Sequence, residues 1–193
     1  MQKVLYLASK RIYNYTIVVI TRKGSIKMSF KEISIKDVSI SPSELYGDKW
    51  ALIGSGDQDR HNIMTASWGM LGKLWNKDVA VVFIRPPRYT YEIIEDEEYF
   101  TVNFLSEKYR EALNICGVAS GRDCDKFEHV GLSPYYVEGT TAVEQANLVV
   151  VCKKIAITDI KPEGFVDESI DSFYPKKDYH RVFVGEIIKV LQK

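Results

Sequence analysis

The stretch VAVVFIRPPRYTYEII, residues 79–94, begins with the pattern of a strand and ends with that of a helix. Its first half is apolar, β-branched and aromatic, which is typical of a buried strand. The positions expected in the core are Val79, Val81, Phe83 and Ile84. Two prolines end the strand, since proline has no N–H to donate to a sheet ladder. Thr90 then precedes an acidic run and is expected to cap a short helix. Arg85 and Arg88 therefore lie where a core strand meets a helix start.

The position of Arg85 and Arg88 has two explanations. Surface strands commonly end in prolines and solvated arginines, and on this stretch alone that structural explanation stays open. The alternative is that an anion binds at the strand end. Free N–H groups and the positive end of a helix dipole attract anions, and an arginine fork matches phosphate oxygens better than lysine does. The two prolines would also stiffen the segment and reduce the entropy lost on binding.

The composition predicts a single domain. The chain has 193 residues, 46% of them hydrophobic, which is enough to bury a sizeable core. Its 26 basic and 26 acidic residues cancel, so the net charge gives no sign of a nucleic-acid or membrane partner. No apolar run reaches the roughly 18 residues that a membrane-spanning helix needs. We therefore expect neither kind of partner.

The three cysteines and three histidines form no recognisable metal or disulfide pattern. Cys116, Cys124 and Cys152 are irregularly spaced, and the histidines supply no helical pair. We expect no metal site and a cytoplasmic protein with reduced cysteines.

The first 27 residues differ from the rest of the chain in charge, with six lysines and arginines and no acidic residue. A secretory signal does not fit, because the apolar runs VLYLA and TIVVI are short, are interrupted by charge and precede no small-residue cleavage site. One interpretation is a basic arm for nucleic acid. The interpretation we favour is an N-terminal extension, poorly packed or not native, with Met28 as the natural start. Residues 28–193 would then form the domain.

From Met28 onward the pattern is that of strands with few helices. The strand segments are KWALIGSGD, NIMTASWGM (62–70), DVAVVFIRP, YFTVNFL, YYVEG, ANLVVVCKKIAITDI and YHRVFVGEIIKV. Helix signals occur at SPSELYGD (41–48), after Thr90, from Ser106 to about Cys116, and before Gly131. Because most strands follow one another without a crossover helix, the sequence predicts a mainly β, antiparallel barrel. The pair Gly54 and Gly56 lacks the third glycine of a dinucleotide fingerprint and runs into two aspartates, which argues against a Rossmann site.

Two further stretches carry chemistry. SGRDCDK (120–126) places Ser120, Gly121, Arg122 and Lys126 around a helix start expected at Asp123; by itself this is also an ordinary capped turn. TASWG (65–69) places small residues beside Trp68 at a strand end, where backbone N–H groups can approach a planar polar ring and an indole can cover it. Taken alone, Trp68 is more simply a core residue. Together with Arg85 and Arg88, these stretches describe a site for a planar heterocycle that carries a phosphate.

In this order, the segments resemble the flavin reductase-like family with an FMN-binding split β-barrel, which includes the flavoredoxins. The matching segments are NIMTASWG (62–69), VAVVFIRPPRYTYEII (79–94), YFTVNF (99–104), CGVASGRDCDKF (116–127) and YHRVFVGEI (179–187). The resemblance extends over about residues 40–190. It implies an antiparallel split barrel of Greek-key type.

The resemblance also implies roles for individual residues. The isoalloxazine of FMN would be lined by Thr65, Ala66, Ser67 and Trp68. The ribityl phosphate would be held by Arg85, Arg88, Tyr89 and Thr90, with Ser120, Gly121, Arg122 and Lys126 nearby. Close to the ring or to an incoming nicotinamide would lie His180 and Arg181. His180 is the candidate catalytic residue, because imidazole donates hydrogen bonds and titrates near neutral pH; a packed structural histidine is the alternative.

By the same resemblance, the protein is expected to be a homodimer with flavin sites near the subunit interface. FMN would carry the redox chemistry while the protein supplies binding and orientation. NADH or NADPH would dock transiently as co-substrate, which makes the protein an NAD(P)H-dependent flavin oxidoreductase. Two alternatives stay open. One is a flavoredoxin-type electron carrier reduced by a protein partner, and the other is a non-redox module for flavin storage or nucleic-acid binding.

Overall fold

The computed structural model describes residues 29–193 and, as backbone alone, residues 19–20 and 26–27. The strands are β1 Val19–Ile20, β2 Ile26–Lys27, β3 Lys31–Ile33, β4 Ala51–Gly56, β5 His61–Ala66, β6 Gly69–Leu74, β7 Lys77–Ile84, β8 Tyr99–Phe104, β9 Pro134–Val137, β10 Thr140–Val143, β11 Leu148–Asp159 and β12 Arg181–Gln192. The α-helices are α1 Tyr89–Asp96, α2 Arg110–Val118 and α3 Lys126–His129. A π-helix spans Glu44–Lys49, and 3₁₀ turns occupy Ile35–Asp37, Glu107–Tyr109, Pro162–Gly164 and Glu168–Phe173.

Eight strands form one antiparallel sheet in the order β5-β4-β8-β11-β12-β7-β6, with β3 also paired to β12. The two central strands, β11 and β12, are 12 residues long and pair over most of their length. Register shifts at Val151/Cys152 and at Lys154/Ala156 interrupt this ladder, and bulges of that kind bend and twist a sheet. The prediction of a mainly β, antiparallel fold with a few short helices is confirmed.

The middle of the sheet is buried on both faces. Alternate residues of a strand point to opposite sides, so Ile53, Val102 and Val150 pack in a core shared by strands from both ends of the sheet. Their neighbours Leu52 and Val149 pack in a second core, which includes residues of α2 and α3. This double burial explains why VVVC in β11 is a continuous apolar run and not an alternating one.

Strand β7 buries two of the four residues expected in the core, Val79 and Ile84. Ala80, Val82 and Ile84 are fully buried in β7. Val81 and Phe83, which were also expected in the core, point to the opposite face from these three residues and are only partly buried. Phe83 lies in the wall of a cleft instead.

Three predicted boundaries were wrong. The single strand expected at 62–70 is two strands, β5 and β6, separated at Ser67 and Trp68. The helix expected to be capped by Thr90 begins at Tyr89, with Arg88 in the N-cap position. The helix expected from Asp123 begins after Asp125, whose carboxylate accepts hydrogen bonds from the N–H groups of Phe127 and Glu128.

Strand β10 was not predicted. It forms a hairpin with β9, and the turn residues Glu138 and Gly139 both have positive φ, 49° and 74°. Two consecutive positive φ values are the geometry of a tight two-residue hairpin turn. The glycine of this Glu-Gly pair was the available signal for it.

The prediction of an N-terminal extension concerns residues that lie mostly outside the described part of the chain. The described pieces, β1 and β2, pair with each other and with no strand of the large sheet. No helix in the described residues is long and apolar enough to cross a membrane.

Candidate functional site

A cleft of about 420 Å³ opens where β5 and β7 end. It is lined by Met64, Thr65, Ala66, Ser67, Trp68, Phe83, Arg85, Pro87, Arg88, Gly117, Asp178 and His180. The fold thus brings together the TASW stretch, both arginines of RPPR and the candidate catalytic histidine. These segments are separated in the sequence, and β7 brings them together because it pairs with β6 on one side and with β12 on the other.

The sheet pairing is interrupted on one wall of this cleft, at Ser67 and Trp68. The ladder between β4 and β5 ends at Ala66, and the ladder between β6 and β7 starts at Gly69. The peptide groups of Ser67 and Trp68 are therefore not used by sheet pairing and are open to a ligand. Gly69 allows this close turn, since a Cβ there would lie 2.2 Å from the ring of Tyr46.

Trp68 is not a core residue. Its side chain is 43% exposed. The indole packs edge-on against Phe173, at 5.7 Å between ring centroids, and lies 5.1 Å from the ring of His180. The interpretation of Trp68 as a simple core residue is therefore wrong, and the indole forms part of the cleft wall.

The hydroxyls of Thr65 and Thr90 bond to the protein. Thr65 Oγ1 donates to the carbonyl oxygen of Leu113 in α2. Thr90 is fully buried, and its Oγ1 accepts a hydrogen bond of 2.8 Å from the Asn62 side chain. Both threonines therefore tie β5 to neighbouring helices, and only Thr65 lies in the cleft wall.

The positive charge of Arg85 is compensated by a carboxylate, that of Asp178. Its Nη1 lies 3.2 Å and 3.3 Å from the two carboxylate oxygens of Asp178, and its Nη2 donates to the carbonyl oxygen of Phe173 at 2.7 Å. The guanidinium also lies over the ring of Tyr174, 5.1 Å from its centroid. These contacts connect the end of β7 to the segment that precedes β12.

Arg88, three residues further, has no such partner. Its Nη2 donates to the carbonyl oxygen of Gly117, and within residues 29–193 no carboxylate lies at ion-pair distance. Burial, with the positive charge of Arg85 as a further cause, lowers the pKa of Arg88. Its positive charge faces the cleft uncompensated.

A second cation without a carboxylate partner lies close by. Lys126 is 4% exposed, and its Nζ donates to the carbonyl oxygen of Cys116 at 3.1 Å. Burial lowers the pKa of this amine to about 8, and the charge of Arg88 contributes. Arg88 and Lys126 thus bond to consecutive carbonyls at the C-terminal end of α2, where the helix dipole favours positive charge. An anion brought to this point would meet two cations.

Lys126 lines a second cleft of about 270 Å³, which also contains Tyr89 and Gly121. Arg60 and Arg122 both lie over the ring of Tyr89, at 5.8 Å and 5.3 Å from its centroid. A Cβ on Gly121 would lie 2.3 Å from Asn62 Oδ1 and 2.7 Å from Tyr89 Cδ1, so only glycine fits there without displacement.

Ser120 and Arg122 shape the loop and line neither cleft. The Ser120 hydroxyl accepts from the N–H of Arg122 at 3.2 Å. Arg122 pairs with Glu92 and donates to the carbonyl oxygen of Pro87 at 3.0 Å. The loop is thereby attached to the RPPR segment and to α1.

Arg181 lies outside both clefts. Its guanidinium is held by Asp159, at 2.6 Å from Nε, and by Glu95, and it lies over the ring of Tyr91. The hydrogen bond to Asp159 raises the pKa of Arg181. The side chain neighbours His180 in sequence, but the fold directs it to another surface.

His180 lies in the cleft wall immediately before β12 and is 8% exposed. Its Nδ1 is 2.8 Å from the hydroxyl of Tyr174. Burial lowers the pKa of the imidazole to about 4; the charges of Arg85 and Arg88 act in the same direction and Asp178 opposes them. The expectation that this histidine titrates near neutral pH is therefore wrong, and the ring is neutral at pH 7.

Sequence reasoning missed five residues of the cleft wall: Met64, Phe83, Pro87, Gly117 and Asp178. Phe83 was expected in the core. Asp178 pairs with a residue 93 positions away, so no local pattern could have revealed its partner. Among the described residues, no three His, Cys, Asp or Glu side chains come together as a metal site.

Comparison with known proteins agrees with the resemblance read from the sequence. A family model described as "Flavin reductase like domain" matches residues 44–193. Comparison with curated proteins gave no match. Flavoredoxin of Desulfovibrio vulgaris (Miyazaki F) is 25% identical, with a TM-score of 0.60 over 84% of this chain and 77% of that one.

Two further solved structures share the fold. Flavoredoxin from Methanosarcina acetivorans is 22% identical, with a TM-score of 0.60 over 84% of this chain and 76% of that one. An FMN-binding protein from Thermus thermophilus with bound 1-cyclohex-2-enone is 20% identical, with a TM-score of 0.59 over 82% and 79%. The resemblance to the split-barrel proteins is confirmed.

Proposed function

Because this chain belongs to the flavin reductase-like domain family, we propose that it binds FMN in the cleft at the ends of β5 and β7 and exchanges electrons between that flavin and NADH or NADPH. The observation that carries this proposal is the pair of uncompensated cations, Arg88 and Lys126, at the end of α2. They supply the positive charge that a flavin phosphate requires.

The residues present fit an FMN molecule. The cleft volume of about 420 Å³ is within the range of roughly 300–1,000 Å³ usual for ligand sites. One wall offers peptide groups outside the sheet ladders and an exposed indole, which suit the polar edge and the face of a planar ring. Arg88 lines this cleft and Lys126 lines the adjoining one, which suits a phosphate bound beside the end of α2.

The protein residues would have separate tasks. Arg88 and Lys126 would hold the phosphate with charge-assisted hydrogen bonds. Ser67 and Trp68 would orient the ring, and Arg85, already paired with Asp178, would keep the cleft wall in place. His180, neutral at pH 7, would donate or accept a hydrogen bond and would not act as an acid. When bound, FMN supplies the hydride and electron chemistry.

Titration of the flavin-free protein with FMN and with riboflavin tests the binding proposal. We expect FMN to bind more tightly, because riboflavin lacks the phosphate that Arg88 and Lys126 would hold. Equal affinity for the two flavins, or a protein that binds neither, would overturn it. Anaerobic addition of NADH or NADPH to the FMN-loaded protein then tests the electron donor, with bleaching of the flavin absorbance as the expected result.

An electron-carrier role is the second candidate. It is supported by the structural likeness to two proteins named as flavoredoxins, one of them 25% identical. A carrier would bind FMN in the same cleft, but its flavin absorbance would be bleached by a reduced protein donor and not by NADH or NADPH. The same anaerobic experiment therefore separates the two roles.

We also propose a homodimer in the cytoplasm. The edge strand β6 and its turn expose apolar side chains, with Met70 55% and Trp75 62% exposed, and an unpaired edge strand invites association. Cys116, Cys124 and Cys152 are free thiols, which supports a reducing compartment. Light scattering on the purified protein should give twice the mass of one chain, and the mass of a single chain would contradict the dimer.

A further inference from the structure

Tyr174 is held rigidly beside the cleft. It follows the 3₁₀ turn Glu168–Phe173 and is 2% exposed. Its ring stacks on Phe165 at 6.2 Å, contacts Tyr179 at 4.8 Å and lies under the guanidinium of Arg85. With its ring fixed in this way, the hydroxyl has a defined direction, and it points to His180 Nδ1 at 2.8 Å.

This contact determines where the proton of the imidazole resides. A buried hydroxyl that fails to donate its proton costs free energy, and within residues 29–193 the hydroxyl of Tyr174 has Nδ1 of His180 as its only hydrogen-bond partner. Burial raises the pKa of the phenol, so the proton stays on it. If the phenol donates to Nδ1, that nitrogen is unprotonated, and a neutral imidazole then carries its hydrogen on Nε2.

We propose that Tyr174 is a positioning residue, which holds His180 as the Nε2–H tautomer and directs that N–H into the cleft. Nε2 makes no hydrogen bond to any residue that the structure describes, while the ring lines the cleft. The part of the inference that assigns this N–H to a bound flavin or nicotinamide rests on the proposed function. There it would donate to an oxygen or nitrogen of the ligand on which negative charge develops.

The neighbouring charges explain why a phenol suits this task. A carboxylate on Nδ1 would favour the imidazolium. Asp178, the carboxylate nearest in sequence, is instead engaged by Arg85. Arg85 and Arg88 face the ring as positive charges, and Tyr174 faces it as a neutral donor. The arrangement provides a histidine that donates a hydrogen bond without carrying a charge.

The tautomer can be measured without any flavin. In long-range ¹H–¹⁵N NMR spectra of the flavin-free protein, we expect His180 to show an unprotonated Nδ1 and a protonated Nε2 near neutral pH. Tyr174→Phe keeps the ring but removes the hydroxyl, and it should convert this signature to a mixture of tautomers. The matched control is Tyr179→Phe, which removes a hydroxyl bonded to Asp171 at 2.8 Å and should leave the His180 signature unchanged. A wild-type His180 protonated on Nδ1 would overturn the proposal, whatever the variants do.

The rate of flavin reduction then tests whether the Nε2–H of His180 acts on the bound ligand. In the FMN-loaded protein, Tyr174→Phe should slow flavin reduction by NADH or NADPH about ten-fold, which is the equivalent of about one hydrogen bond. Its FMN affinity should be unchanged. Tyr179→Phe should be reduced as fast as the wild type. If no flavin binds, the proposed function fails while the NMR result still decides the tautomer. If flavin binds and is reduced but Tyr174→Phe changes neither the tautomer nor the rate, the role of Tyr174 is refuted.

Discussion

Arg85 and Asp178 form an ion pair across 93 residues of sequence, with Nη1 3.2 Å and 3.3 Å from the two carboxylate oxygens. Arg88, only three residues away, has no carboxylate at ion-pair distance in the described part of the chain. The two arginines of one short motif therefore differ in function. Arg85 stabilises the cleft wall, and Arg88 presents a positive charge to whatever the cleft binds.

Replacing Arg88 with alanine should weaken FMN binding and leave riboflavin binding unchanged. The lost charge-assisted hydrogen bond is worth about 1.5–3 kcal/mol, which corresponds to a roughly 10- to 150-fold rise in the dissociation constant. Fluorescence titration of the flavin-free protein measures both ligands.

The matched control for this change is Arg110→Ala. Arg110 also carries a guanidinium, but it begins α2, pairs with Glu107 and lines neither cleft. It should bind both flavins as the wild type does. If Arg88→Ala weakened riboflavin binding as strongly as FMN binding, the substitution would have damaged the cleft and the phosphate assignment would be wrong.

FMN affinity should fall as the pH rises through about 8. Burial lowers the pKa of Lys126 to about 8 from its ordinary 10.5, so the amine is charged below that pH and becomes neutral above it. A bound phosphate would require the charged form, and FMN binding above pH 8 should therefore take up a proton. In Lys126→Met, binding should be weak at every pH and this dependence should disappear. An unchanged pH profile in the variant would show that Lys126 does not contact the phosphate.

His180 should make the protein less stable in mild acid. The pKa of its imidazole is lowered to about 4 in the folded protein from an ordinary 6.5, so the unfolded chain binds more protons between these values. The contribution of His180 to the free energy of unfolding is therefore fully present above about pH 6.5 and is lost as the pH falls toward 4. Between pH 7 and pH 5 the wild type should lose about 2 kcal/mol more free energy of unfolding than His180→Gln. Urea unfolding at the two pH values measures this, and equal losses would refute the prediction.

Gly121→Ala should disturb the loop between α2 and α3. The added Cβ would lie 2.3 Å from Asn62 Oδ1 and 2.7 Å from Tyr89 Cδ1, and relieving such overpacking costs about 1–3 kcal/mol. Because Asn62 also holds Thr90 at the start of α1, FMN affinity should fall as well. Gly72→Ala is the control, since a Cβ there has no heavy atom within 4 Å. Equal melting temperatures for the two variants in thermal unfolding would contradict this account.

Deleting residues 1–27 should change neither the melting temperature nor the FMN content. This follows from the acid-free, basic sequence of the segment, and the described strands β1 and β2 pair only with each other. Differential scanning calorimetry of the full and shortened chains checks it. A large drop in melting temperature would mean that the segment packs against the domain.

Part of the site could be predicted from the sequence because the local structure of a short segment depends on neighbouring residues. Two consecutive prolines have no N–H to donate to a sheet ladder, so RPPR was expected at the end of β7. The glycine near the end of the segment KWALIGSGD was recognisable in the same way, and Gly56 ends β4 with φ at 93°. The break at Ser67 and Trp68 was not, since NIMTASWGM has the composition of one continuous strand. It becomes two strands because β5 pairs with β4 and β6 with β7, at opposite ends of the sheet order.

By itself, the sequence determined the mainly β class and the positions of Arg85, Arg88 and Lys126 near element ends, because hydrophobic periodicity and turn residues act over a few residues. Only the tertiary structure decided which of those charges are compensated. Asp178 neutralises Arg85, and Asp159 and Glu95 hold Arg181 outside the clefts. Burial, with the charges of Arg85 and Arg88, leaves His180 neutral. The reason is physical: charge pairing and desolvation depend on distances of a few ångströms between residues that the chain brings together only when it folds.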